Sequence, residues 1–171
     1  MDQPDLSAPE HYINREMSLL AFNRRVLEQA LDPTNPLLER LRFLCISSNN
    51  LDEFFEIRVA GLKQRLELGS DQAGPDGFTV ATQLQSIHAA TMDVVREQAR
   101  CLNEVLLPAM RTAGIELIPR TQWDDETKTW LERYFELGVE PVLSPLGLDP
   151  ARPFPRIQNR SLNFIVRLSG K

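Results

Sequence analysis

The chain has 171 residues, enough for one ordinary domain or for a small domain and the start of another. Its 42% apolar and 25% charged residues are the balance of a globular protein and exclude a disordered or fibrous chain. The formal net charge of −5 argues against a nucleic-acid module, whose surface is concentrated in basic residues, but leaves room for a local arginine cluster that binds phosphate.

Residues 1–11 carry Pro4, Pro9 and several polar side chains, and read as a loose arm. They lack the basic and apolar regions of a secretory signal, and no apolar run approaches the roughly 20 residues of a membrane span. A first helix is expected over 18–31, with Ser18 as N-cap and Leu19, Phe22, Val26 and Ala30 turned inward at three- and four-residue spacing. Pro33 and Pro36 stop it; Pro36 suits the first turn of the next helix, with Asn35 as its cap. That second helix shows Leu37, Leu41, Leu44 and Cys45 on one stripe. The run Ser47-Ser48-Asn49-Asn50 predicts a break, because four small polar residues compete for their own backbone. A third helix then carries Leu51, Phe54, Phe55 and Leu62 to a glycine-rich loop over 69–77. The longest pattern is Val80, Leu84, Ile87, Thr91, Val94, Gln98, Leu102, Val105 and Ala109, a long amphipathic helix. An antiparallel helical bundle over 12–112 follows. Cys45 and Cys101 fall in these apolar patterns and read as small core residues of a protein in a reducing compartment.

Past Gly114 the texture changes. A short strand is expected over 115–118, then a helix opened by Thr121 and Asp124 that displays Trp123, Trp130, Tyr134 and Phe135. A proline-rich passage over 141–155 leads to a β-rich run over 162–168. The fold class is therefore mainly α: an antiparallel bundle followed by the beginning of a smaller α+β domain, 113–171, whose core is not closed. The chain reads as a piece of something longer.

The sequence excludes more chemistry than it offers. Neither a P-loop nor a dinucleotide fingerprint occurs, and His11 and His88 are isolated from any zinc-binding spacing. Asp52-Glu53 and Asp124-Asp125-Glu126 stand where helices start and serve the positive end of the dipole. No catalytic residue and no metal ligand is assigned. The most informative stretch is residues 47–55, where Asn50 with Glu53, or Asn49 with Asp52, has capping-box spacing. One cap serves one helix, so the surplus asparagine amide is free to offer a donor and an acceptor, the pairing an adenine edge can use. Capping alone accounts for the same residues. Arg58, Lys63 and Arg65 form a basic row that is either solvated charge or a phosphate-responsive face.

Taken together, these segments resemble a known family. The opening Tyr12-Ile13-Asn14-Arg15-Glu16-Met17-Ser18-Leu19-Leu20-Ala21-Phe22-Asn23-Arg24-Arg25-Val26-Leu27 is similar to that of the long, multi-domain polyphosphate kinases. So are Asn35-Pro36-Leu37-Leu38-Glu39-Arg40, then Ser48-Asn49-Asn50-Leu51-Asp52-Glu53-Phe54-Phe55 and Arg58-Val59-Ala60-Gly61-Leu62-Lys63. Farther on, Pro141-Val142-Leu143-Ser144-Pro145-Leu146, Pro153-Phe154-Pro155 and Asn159-Arg160-Ser161-Leu162-Asn163 resemble the family's second domain. The likeness runs collinearly over 12–168; Leu19-Leu20 departs from it where the family commonly has a tryptophan. The resemblance implies reversible transfer of the terminal phosphate of ATP to inorganic polyphosphate, with Mg²⁺ and a phosphorylated histidine. It implies a helical N-terminal domain, a head domain that takes part in dimerisation, and C-terminal catalytic domains holding the phosphohistidine and most phosphate-binding arginines and lysines. The implied partners are ATP or ADP, polyphosphate, the chain's own catalytic domains and a second copy. The implied location is the cytoplasm, with peripheral association to the inner membrane. The helical domain is expected to roof the nucleotide, and the second asparagine of Ser-Asn-Asn-Leu-Asp, here Asn50, to contact adenine. A stand-alone helical interaction module, or a phosphate-responsive one built on Arg58, Lys63 and Arg65, is the competing expectation.

Overall fold

The computed structural model describes residues 5–149, 151, 153–158 and 161–169, so Asn159 and Arg160 of the last motif lie outside the described residues. They form two compact units divided between Leu117 and Ile118.

In the first unit, α1 (Arg15–Leu31) starts at Asn14, whose side-chain oxygen accepts the Met17 N–H at 2.9 Å. Asn14 caps this end, not Ser18, which already lies inside the first turn. The Asn14 amide also donates to Asp76 at 2.6 Å, tying the helix start to a distant loop. After the prolines, α2 (Leu37–Glu53) begins directly behind Pro36 with no side-chain cap. Asn35 turns back and donates to the Gln29 carbonyl at 2.9 Å. Buried Arg40 reaches the same end of α1, its Nε donating to the Ala30 carbonyl at 2.9 Å, where a cation also complements the dipole.

The expected break at 47–50 does not occur. α2 runs through it, continues as a π-turn over Phe54–Val59, and goes on as α3 (Ala60–Glu67). The Ser47 hydroxyl and the Asn50 NH₂ are engaged by side chains of other helices, which draws them away from the local backbone competition that would end the helix. α3 closes at Gly69 with φ 74°, where the Ser70 and Gly69 N–H groups reach back to Arg65 and Leu66, a left-handed ending glycine adopts without strain. The third column is α4 (Val80–Arg100), capped by Thr79, then a π-turn over Cys101–Leu106 and α5 (Leu107–Thr112). Three helical columns thus run up, down and up, with α1 packed on both α2 and α4.

Leu20, Leu27, Ala30, Leu44, Leu51, Phe54, Val80, Ile87, Val94, Cys101 and Leu106 form one core. Two expected faces are displaced. On α1 the buried set is Leu20, Asn23, Leu27 and Ala30, so Leu19 and Phe22 lie outside. On the longest column the buried series continues Cys101, Leu106 and Met110, not Leu102, Val105 and Ala109. The π-turn explains the second shift: it adds a residue, so inward positions fall five apart rather than four. The same step separates Phe54 from Val59 in the second column, leaving Phe55 exposed. Cys101 is sealed, and burial pushes its thiol pKa up. Cys45 is exposed and is no core residue.

The second unit contains α6 (Asp125–Tyr134), continued by a π-turn over Phe135–Val139. Asp124 caps it by accepting the Thr127 N–H at 2.7 Å; Thr121 sits in a separate short turn. Neither 115–118 nor the described part of 162–168 forms a strand. A strand needs a paired edge, and none is present among the described residues.

Candidate functional site

Because the inward stripe of α1 is one residue away from where apolar spacing alone would set it, α1 carries a second apolar edge, Leu19 and Phe22. That edge and the last turn of α2 with its π-turn enclose a groove of about 280 Å³. Leu19, Phe22, Leu51, Phe54 and Ile57 supply apolar walls; Asn23, Asn50, Glu53 and Arg58 supply the polar groups. Phe22 is 51% exposed and Ile57 66%, which marks them as wall rather than core. The π-turn matters here, since it lets Phe54 point into the core while Ile57 and Arg58 still border the groove.

Asn50 is half-buried in the lining of this groove. Its Nδ2 donates to Asn23 Oδ1 at 3.1 Å, and Asn23 Nδ2 in turn donates to the Ser47 carbonyl at 3.0 Å. The Ser47 hydroxyl accepts from Gln98 Nε2 at 2.9 Å, so α4 braces the same turn of α2. Asn50 is therefore mid-helix, not a cap, and Asn49 is exposed. The capping account of this motif is overturned: α2 does not start there. What remains to Asn50 is an acceptor oxygen and one N–H with no protein partner among the described residues.

Of the basic row, Arg58 alone borders the groove; it forms no ion pair among the described residues. Lys63 and Arg65 are exposed on α3 and are not part of its lining. His11 and His88 are exposed and lie outside it as well. Among the described residues, no group of three or more His, Cys, Asp or Glu side chains could hold a metal ion. No helix among the described residues is long and apolar enough to cross a membrane.

Sequence reasoning missed Asn23 and the wall residues Leu19 and Phe22. A signal was present: apolar residues at 19, 20, 22, 26, 27 and 30 are too many for one stripe, and a helix apolar on two edges has two things to cover.

Fold and groove together define a helical-bundle domain with a mainly apolar groove whose lining includes the paired amides of Asn23 and Asn50. A family model described as the polyphosphate kinase N-terminal domain matches residues 12–118, and one described as the polyphosphate kinase middle domain matches 126–171. The chain belongs to the polyphosphate kinase family and corresponds to its N-terminal part. It is 52% identical over 162 residues to a polyphosphate kinase of Xylella fastidiosa, covering 95% of this chain and 23% of that one. A polyphosphate kinase of Pseudomonas aeruginosa is 52% identical over 159 residues, again across 23% of its length. The crystal structure of polyphosphate kinase from Porphyromonas gingivalis matches with a TM-score of 0.65 at 30% identity, over 85% of this chain and 20% of that chain. The chain thus spans about a quarter of the length of the relatives it matches.

Proposed function

We propose that this chain supplies the nucleobase-binding and assembly portion of an ATP:polyphosphate phosphotransferase, with Asn50 contacting adenine. The observation that carries the reading is the side-chain oxygen of Asn50, without a protein partner among the described residues, in the lining of a mainly apolar groove. An adenine ring brings two apolar faces and a polar edge. Leu19, Phe22 and Ile57 offer surface for a face, and a carboxamide offers the donor–acceptor pair that adenine's amino group and adjacent ring nitrogen complement.

Phosphoryl transfer is mostly positioning and charge stabilisation by metal and cations. In this reading those groups, Mg²⁺ and the phosphorylated histidine among them, belong to the catalytic domains that the family carries beyond its helical part. The bundle excludes water from the base and orients it. The division into an arm (1–11), the bundle (12–112) and the beginning of an α+β head domain (113–171) belongs to the same reading. So do ATP, ADP and polyphosphate as partners, pairing with a second copy, and a cytoplasmic site with peripheral membrane association. A phosphate-responsive module has less support, because Arg58 alone of the basic row borders the groove.

In the full-length enzyme, Asn50→Ala is expected to raise KM for ATP roughly tenfold, the scale of a lost base-edge pair, while the helical circular dichroism stays unchanged. An ATP dependence identical to the unmodified enzyme removes Asn50 from the site.

A further inference from the structure

We propose that Asn23 is a positioning residue that fixes which end of the Asn50 amide faces the nucleobase, and so sets the preference for a 6-amino over a 6-oxo purine. The inference rests on the reading of Asn50 as the nucleobase contact.

Hydrogen-bond polarity sets the orientation of both amides. A backbone carbonyl only accepts, so the Asn23 group facing the Ser47 carbonyl at 3.0 Å is its NH₂. Asn23 is 3% exposed, and the reversed rotamer would set two oxygens against each other in a site with almost no water to separate them. Its oxygen therefore points to Asn50. An amide oxygen also only accepts, so Asn50 presents its NH₂ to Asn23 at 3.1 Å. Asn50 Oδ1 is what remains for the groove, beside its second N–H. A free surface asparagine flips between its two orientations; this one is held by a chain of donors that ends on a main-chain carbonyl.

The anchor is rigid because both ends of the chain lie on α2. Ser47 and Asn50 are three residues apart on one helix, and Asn23 of α1 spans them. Sliding α1 along α2 would break both bonds at once. Gln98 of α4 holds the Ser47 side chain at 2.9 Å and braces the same turn from the other side. A purine held in one register by the apolar wall meets Oδ1 with its 6-substituent. An amino group donates to that oxygen; an oxo group places a second acceptor against it. Inosine triphosphate, which carries a 6-oxo group in place of the 6-amino group and a proton on the adjacent N1, is the direct probe.

The test is a double-mutant cycle in the full-length enzyme, reading kcat/KM for ATP and for inosine triphosphate separately. Asn23→Leu conserves bulk and removes both bonds; Asn23→Ser, whose hydroxyl is too short to span the pair, serves if the leucine variant does not fold. The expected result is a fall of about tenfold in the ATP-to-inosine-triphosphate ratio for either Asn23 variant, carried by KM with kcat held. In the Asn50→Ala background the same Asn23 change should leave the ratio where Asn50→Ala alone puts it. An unchanged ratio in both Asn23 variants overturns the positioning role while leaving Asn50 in the site, provided Asn50→Ala still lowers the ratio. A loss that adds to that of Asn50→Ala overturns it too, since it shows Asn23 acting by another route. A ratio and a KM untouched by Asn50→Ala overturn the nucleobase site itself, and the role of Asn23 with it.

Discussion

In the bundle, apolar side chains close on one another. Leu27, Val80, Ile87, Cys101 and Leu106 are sealed from solvent, and polar groups that come inside, such as Asn23 and Arg40, arrive with partners. From Ile118 onward the same residue types face water. Trp130 is 62% exposed, Phe164 79% and Leu162 83%, and α6 buries nothing among its described residues. The two regions do not differ in having apolar residues. They differ in whether a second surface meets them, and only burial yields hydrophobic free energy. Amphipathic spacing states a requirement for cover; it does not supply the cover.

That contrast can be broken by mutation. Leu27→Ala, at a fully buried position, is expected to cost about 2–5 kcal/mol in denaturant unfolding. Phe164→Ala, though a larger truncation, should stay within about 0.5 kcal/mol. Equal effects would show that the second unit has a core of its own. A smaller change sharpens the bundle's side of the comparison. Thr91 Oγ1 is the one buried side-chain polar atom left without a partner among the described residues. Thr91→Val removes that unmet group at nearly constant volume and is expected to raise stability by about 1 kcal/mol, read as a higher denaturation midpoint. A lowered midpoint would mean that the hydroxyl is satisfied.

The smallest expected effect is one of pH. Hydrogen bonds from the Thr127 side chain and N–H hold the Asp124 carboxyl below its ordinary 3.8. A lowered pKa in the folded state means that the cap contributes fully above the unfolded value and fades as pH falls through the folded one. Acidification below 3.8 should therefore fray α6, seen in Trp130 fluorescence, before it touches α1 and α4, whose caps are the neutral Asn14 and Thr79. Simultaneous loss of all three helices would contradict this.

The helices were legible because apolar residues at three- and four-residue spacing leave few other folds for such segments. The break read at 47–50 was not, since the pull of Ser47 and Asn50 toward their own backbone is a local tendency that Asn23 and Gln98 overrode. The identity of Asn50 as a candidate contact came from its motif; the reason its amide is available came from Asn23, a polar residue that hydrophobic periodicity sets on the wrong side of α1.

By itself, the sequence determined that the segments of α1 to α5 form amphipathic helices and that the chain has polyphosphate kinase motifs in order, and it singled out Asn50 as a candidate contact. Tertiary structure decided which stripe of α1 faces inward, that two columns run on through π-turns, and which way the Asn50 amide is turned. Local spacing records how much apolar surface a helix must cover. The partner that covers it, and the hydrogen bonds that pull a polar side chain inside, exist only once distant segments meet.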